Sequence, residues 1–405
     1  MFDSARFTDQ ILRGSIIVKK GDVVKNIFHL KKGEIDVLKT PPGIDLLKPN
    51  EIQEKAVPIS KITKGKTFLE MEALTGRKSP YYYRAGSMCT ISRLGTDEDE
   101  LQLYLDTNFD LTLQIVQNLA LAAHDILRKV SHAQLGENRL KNAYKSYCQE
   151  FFRTIQHISQ TPRPPEIENV IRRLLNVGMR MDIYQSGQKF EYERAQEYWQ
   201  TKFSSMAHIS YTPTADVSKN IRVFEAGEFL FKEGDMGNSM YIVLKGEMEG
   251  LINNEVEFEI NDPGTVVGEM GLLLTLNDKE IPRRSASIRC RTQCQVLEIN
   301  NVDFIPFMKA KREILFDLVF TLKDRYQSGI VFLHEHKEKI KKMVGLLIPG
   351  ARKNYKEIND FISGNLRGNH PFQEITKFFE ERLRKIEIDL KIFKKLYLDS
   401  KDLTL

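Results

Sequence analysis

The sequence predicts an α+β chain with two small β-barrels, each closed by helices. Three observations lead there: an internal repeat, short β-branched strands between glycine turns, and helical periodicity after each copy. The stretch from Gly21 to Glu34 lies without a gap on the stretch from Gly234 to Glu247. Both open on Gly-Asp, carry an aromatic seven residues later (Phe28, Tyr241), and reach Gly-Glu after twelve. Glycine supplies turn angles that other residues avoid, so Gly-Asp and Gly-Glu read as turns between strands. Tyr241-Ile242-Val243-Leu244 is the stronger strand and Phe28-His29-Leu30 its weaker copy.

The likeness continues downstream in the same order. Phe68-Leu69-Glu70-Met71 aligns with Val267-Gly268-Glu269-Met270, and Arg84-Ala85-Gly86-Ser87-Met88 with Arg284-Ser285-Ala286-Ser287-Ile288. Helical spacing follows each copy, through Leu111, Ile115, Leu119 and Leu121, then through Phe304, Phe307, Ile314, Leu318 and Leu322. Many short strands with glycine turns and closing helices make a barrel with flanking helices. The expected organisation is a diverged barrel domain over 1–129, a helical linker over 130–218, a second barrel domain over 219–330 and a helical tail over 331–405. The first copy also carries an insertion from Pro41 to about Pro58.

Composition narrows the class. Hydrophobic residues at 41% and charged residues at 28% fit a globular protein. The sequence holds no run of 18 apolar residues, so no membrane span is expected. The start has no basic-then-apolar leader, and a cytoplasmic location is expected. Four cysteines make no disulfide framework, and Cys290 and Cys294, four apart on strand-like sequence without a nearby histidine, predict no metal site. The net charge of +5 is matched by the tail alone, with 16 Lys+Arg against 11 Asp+Glu from Val331 to Leu405. Such a tail reads first as a solvated helical face.

Both copies resemble the cyclic-nucleotide-binding domain of the catabolite activator protein and of cAMP-dependent protein kinase regulatory subunits. The second copy, from about Ile221 to Tyr326, is the better match; the first runs from about Ile11 to Lys129. The resemblance implies a jelly-roll (double-stranded β-helix) barrel and a cyclic nucleotide ligand, cAMP or cGMP, with no metal. A cyclic phosphate needs a cation and several N–H donors, and a carboxylate accepts from the ribose 2′-hydroxyl. By resemblance those roles fall in the second copy to Gly268, Glu269 and Arg284, with Arg283 the rival arginine. Ser285 and Ala286 bring a hydroxyl and a backbone donor, and Met270 and Leu272 line the barrel. Ser285 after the arginine resembles the catabolite activator protein and favours cAMP.

In the first copy Glu70, Arg84 and Ala85 match, but Leu69 replaces the glycine, obstructing a close backbone approach. Two readings stand there: a second nucleotide site, or a degenerate barrel used for contact. From glutamate to arginine the loops measure 14 residues in the first copy and 15 in the second, longer than the family pattern. By the same resemblance an aromatic caps the base, for which Tyr326 and Tyr241 are the candidates.

Between the modules the pattern is helical and aromatic, through Tyr144, Tyr147, Phe151 and Phe152 and then Ile167 to Leu175, broken at Pro162, Pro164 and Pro165. In the tail, two helical stretches (356–362 and 372–386) flank a joint from Ser363 to Pro371, too long for a helix-turn-helix. DNA binding is therefore not expected. Leu383, Leu390 and Tyr397 alternate with Phe379, Ile386 and Phe393 at heptad spacing, which fits either a homodimer seam or a helix packed on its own domain. No kinase loop, P-loop lysine or cyclase-type carboxylate pair occurs. The expected function is a non-enzymatic receptor that passes nucleotide binding to an unknown protein partner. The alternatives are a transcription factor with an altered tail, or a ligand-free structural protein.

Overall fold

The computed structural model describes residues 8–48, 51–160, 165–192, 207–208, 220–252, 254–276 and 283–365. It divides into two compact units, Met1–Leu127 with Gln200–Gly329, and Arg128–Trp199 with Ile330–Leu405.

The first unit holds both barrels. The first barrel runs β1 (Thr8–Ile11), β2 (Ile16–Val18), β3 (Asn26–Lys32), β4 (Glu34–Lys39), α1 (Ile52–Lys55), β5 (Val57–Thr63), β6 (Thr67–Phe68), α2 (Glu70–Thr75), β7 (Tyr82–Ala85) and β8 (Cys89–Gly95). Then come α3 (Glu98–Thr107) and the 52-residue α4 (Phe109–Gln160). α5 (Pro165–Met179), α6 (Asp182–Tyr192) and the two-residue β9 (Ala207–His208) lead to the second barrel. That barrel runs β10 (Ile221–Phe224), β11 (Phe229–Phe231), β12 (Ser239–Lys245), β13 (Met248–Ile252), β14 (Glu255–Ile260), β15 (Thr265–Val267), α7 (Glu269–Thr275), β16 (Ser287–Cys290) and β17 (Cys294–Asn300). α8 (Asn301–Ala310) and the 54-residue α9 (Arg312–Asn365) follow.

Each barrel is a pair of antiparallel sheets with the same strand order, β1-β8-β3-β6 over β2-β7-β4-β5, and β10-β17-β12-β15-β9 over β11-β16-β13-β14. The tandem jelly-roll fold is thus present in both copies, and the second gains β9 as an extra edge strand on β15. Strand alternation builds its two layers. Along β12, Met240 and Ile242 join the cluster under the helices, while Tyr241 and Val243 join the barrel interior. β17 divides likewise, Leu297 and Ile299 against Val296 and Cys294. In the first barrel both layers belong to one continuous cluster, which also takes in α3, α4, α8 and α9.

The Gly-Glu repeat has a steric cause. Gly33 and Gly246 sit at φ of 94° and 103°. A Cβ there would lie 2.6 Å from the backbone oxygens of Met88 and Gln293 respectively. The thiols of Cys89 and Cys294 close the same corners on Glu34 O and Glu247 O, at 3.1 and 3.3 Å. All four cysteines are free and buried, and no metal-ligand cluster occurs among the described residues. No described helix is long and apolar enough to cross a membrane.

In the second unit, Cys148, Phe151, Phe152 and Ile155 of α4 are buried, as are Leu174 of α5 and Tyr184 of α6. Phe152 lies 5.0 Å from the Tyr184 ring, and Gln156 donates to the Tyr184 hydroxyl at 2.6 Å. The buried Glu137 of α4 pairs with His336 of α9 and with Lys141 at 2.6 Å. Burial pushes the Glu137 carboxyl up, but the bonds and charges of His336 and Lys141 outweigh it and hold it at about 2.

Three expectations change. α4 runs unbroken past Val130, so no helix boundary separates the barrel's last helix from the first linker helix. Leu121 is exposed, since it falls two residues after the buried Leu119 and so on another face of the helix. Ser363 to Asn365 are helical, continuing α9 into the expected joint. The loop at 209–214 and the heptad positions from Phe379 to Tyr397 lie outside the described residues.

Candidate functional site in the second barrel

The turn from β15 into α7 places two buried charges. Gly268 stands at φ 79° in the left-handed region, and Glu269, the first residue of α7, is fully buried. Arg284 reaches this turn from the segment before β16 and is 6% exposed. Its Nη1 donates to Gly268 O at 2.7 Å and its Nη2 to Ser239 O at 2.7 Å, and the guanidinium lies 4.2 Å above the Phe231 ring. Its Nε is buried with no partner, and no ion pair joins it to a carboxylate among the described residues. Burial pushes its pKa down and outweighs the opposing field of Tyr241 and Asp235, neither of which forms an ion pair with it. A Cβ on Gly268 would sit 2.5 Å from Arg284 Nη1, so only glycine leaves the guanidinium its place.

Glu269 is anchored from the other side. Its Oε1 pairs with Nη1 of Arg325 on α9, while its Oε2 is buried with no partner. Arg325 also donates to Val266 O at 3.3 Å, and burial lowers its pKa to about 10. One turn thus offers a buried cation with an unmet donor beside a buried carboxylate with an unmet acceptor. α7 has seven residues, so charge recognition rests on these side chains more than on a helix dipole.

The other expected residues fall as follows. Ser285 and Ala286 are half-buried in the bend between Arg284 and β16. Arg283 is exposed and donates to Gly234 O at 2.9 Å, so Arg284 is the inward-facing arginine. Met270 and Leu272 pack into the cluster under the helices rather than the barrel interior, because they lie on the face of α7 turned to that cluster. Tyr241 is inside the barrel, with its hydroxyl bonded to Ser239 and Glu298 at 3.1 and 3.3 Å. The Tyr326 hydroxyl is taken by Arg77 of the first barrel. Arg325, Phe231 and Ser239 escaped the sequence reading. Nothing in periodicity marks them, since each acts through a contact distant in sequence.

The first barrel corrects the placement of Arg84 and Ala85. Across β4 and β7, Asp36 faces Arg84 and Ile35 faces Ala85; across β13 and β16, Glu249 faces Arg289 and Met248 faces Cys290. Arg84 is therefore the counterpart of Arg289, and both form cross-strand pairs, to Asp36 at 2.9 Å and to Glu249 at 2.6 Å. The Ala85 N–H is used by Ser15 O at 2.9 Å, so it is no free donor. The counterpart of Arg284 is Ser79. Gly21 N donates to Ser79 O as Gly234 N does to Arg284 O, and Ser79 N donates to Asp22 O as Arg284 N does to Asp235 O, all at 2.8–2.9 Å. The glutamate-to-cassette loop in the first copy thus reaches Ser79, not Arg84.

Glu70 does occupy the place of Glu269. It is buried, accepts from Asn118 of α4 at 2.7 Å, and burial pushes its pKa up. Leu69 takes the left-handed conformation of Gly268, at φ 63°, where no guanidinium stands in its way. Phe28, Phe68 and Tyr83 stack at 5.2 and 5.4 Å inside this barrel, where the second has Tyr241, Val267 and Ile288.

Residues 221–311, from β10 to just past α8, match the family model of the cyclic nucleotide-binding domain. Over this span the second barrel is similar to cyclic nucleotide-binding domains. Over 182 residues the chain is 25% identical to potassium/sodium hyperpolarization-activated cyclic nucleotide-gated channel 2 of Mus musculus, covering 44% of this chain and 18% of that protein. It is 32% identical over 102 residues to a cAMP-dependent protein kinase regulatory subunit of Emericella nidulans, covering 25% of this chain and 23% of that one. It is 28% identical over 112 residues to the cAMP-activated global transcriptional regulator CRP of Salmonella typhimurium, covering 27% of this chain and 51% of that one. Among solved structures, a cAMP-bound PfPKA-R is similar over 83% of this chain and 80% of that one, at 16% identity and a TM-score of 0.26. The chain spans 18% to 51% of the lengths of these three curated relatives.

Proposed function

We propose that the chain is a non-enzymatic, cytoplasmic receptor for a cyclic nucleotide, cAMP or cGMP. The ligand binds in the second barrel, and α9 passes binding on to a protein partner. The observation that carries this is Arg284, a buried guanidinium with an unmet Nε and no carboxylate paired to it among the described residues. A buried lone cation is costly, and a singly charged cyclic phosphate supplies the missing charge and acceptors together. Glu269 Oε2 then accepts from the ribose 2′-hydroxyl, which suits a carboxylate already neutralised on its other oxygen by Arg325. Gly268 lets the backbone approach the phosphate, and Ser285 and Ala286 border it. Two of the relatives are named for cAMP, which favours cAMP over cGMP.

The first barrel, with Ser79, Leu69 and its aromatic stack, assembles no such charge pair. Isothermal calorimetry on the full chain with cAMP and cGMP is the test. One mole of nucleotide per mole of chain is expected, unchanged in Arg84→Ala because that arginine pairs with Asp36. No heat with either nucleotide at millimolar concentration would overturn the receptor reading, and two moles per chain the reading of the first barrel.

A further inference from the structure

The contact between the two barrels is made next to the site. Arg77, just beyond α2 of the first barrel, donates from Nη1 to the Tyr326 hydroxyl at 2.6 Å, and its guanidinium lies 5.5 Å from the Tyr326 ring centre. Arg77 is itself fixed, its N–H donating to Glu72 O at 2.9 Å. Tyr326 directly follows Arg325, the residue that holds Glu269. Successive residues on an α-helix share one rigid turn, so a rotation of α9 that lifts Arg325 from Glu269 also strains Tyr326 against Arg77. A second contact ties the copies together, Lys309 of α8 lying 5.5 Å from the Phe109 ring centre of α4.

We propose that the first barrel has become the intramolecular docking partner of α9 and sets the nucleotide affinity of the second barrel through the Arg77–Tyr326 contact. This rests on the second barrel being the nucleotide site. Arg77 and Tyr326 are positioning residues. They act through Arg325, which aims Glu269 and neutralises one of its oxygens, leaving Oε2 for the ligand.

The test is a double-mutant cycle on the dissociation constant for cAMP, by calorimetry on the full chain, with Arg77→Met, Tyr326→Phe and the pair. Each single variant is expected to weaken binding about 5- to 30-fold, with the pair no weaker than either single. Arg77→Lys, which keeps a cation near the ring, is expected between wild type and Arg77→Met. A role confined to folding would move the melting temperature and leave the cycle additive. Binding by wild type with both single variants within twofold of it, or additive losses, overturns this inference alone. Absence of binding by wild type overturns it together with the receptor reading.

Discussion

Replacing Arg284 by methionine separates a ligand-binding arginine from a structural one, because the two roles predict opposite balances. The guanidinium gives up two 2.7 Å bonds, to Gly268 O and Ser239 O, and each carbonyl left unmet costs about 1–3 kcal/mol. Against this, the substitution removes a buried charge that forms no ion pair among the described residues, which returns several kcal/mol. Methionine also keeps an unbranched apolar chain on the Phe231 ring. Without nucleotide the terms nearly cancel, and the melting temperature is expected to stay within a few degrees of wild type.

With nucleotide the balance is one-sided. A two-pronged contact to the phosphate is worth roughly 3–6 kcal/mol, two charge-assisted bonds of about 1.5–3 each, so the dissociation constant is expected to rise about 10²- to 10⁴-fold. Wild type at a hundredfold excess over its dissociation constant gains about 2.7 kcal/mol, a thermal shift of roughly 5–10 °C that the variant loses. Differential scanning fluorimetry with and without cAMP, backed by calorimetry, reads both quantities. A variant that binds within threefold of wild type would refute the reasoning. So would one that melts more than about 10 °C lower without ligand, because Arg284 would then be a clamp holding the turn together.

Gly268→Ala puts a methyl group 2.5 Å from Arg284 Nη1 at a left-handed backbone angle. We expect a stability loss of about 1–2 kcal/mol and at least a tenfold loss of cAMP affinity, measured by urea denaturation and calorimetry. In the second unit, Glu137 is held at about 2 against an ordinary value of 4.5, with its side chain 3% exposed. A depressed carboxylate contributes stability in full above its unfolded value and loses it as the pH falls through its folded value. The window is therefore about pH 4.5 down to 2, and the contribution is on the order of 3 kcal/mol. Glu137→Gln is expected to be less stable at pH 7 and to flatten that slope in denaturation by circular dichroism. A slope unchanged by the substitution would assign the acid sensitivity elsewhere.

The parts of the fold fixed by backbone geometry were legible in the sequence. Gly33 and Gly246 recur because a Cβ at either would strike the backbone, and the ungapped repeat around them located both barrels. Arg84 does not stand where the resemblance puts it, because small residues after an arginine look alike, whereas the ladder counts residues. Counted back from the shared corner cysteines, Cys89 and Cys294, ten residues reach Ser79 and Arg284, and five reach Arg84 and Arg289. The local resemblance of Arg84-Ala85-Gly86 to Arg284-Ser285-Ala286 points away from that spacing. Arg325 carried no such signal, since its partner Glu269 lies 56 residues away on another element.

The corrected alignment explains Leu69 as well as Ser79. In the second copy, glycine at the left-handed turn and arginine in the cassette require each other, because a side chain on the first would displace the second. Once serine stands in the arginine's place, the glycine is no longer needed for clearance. Leucine can then hold the turn at a backbone cost of about 1–2 kcal/mol while burying its side chain, worth about 1.5–3 kcal/mol. Leu69 and Ser79 are thus two consequences of one change. In the first barrel, where serine stands at the arginine's position, Phe28, Phe68 and Tyr83 fill the interior, and the half-buried Arg77 reaches the helix that carries Arg325.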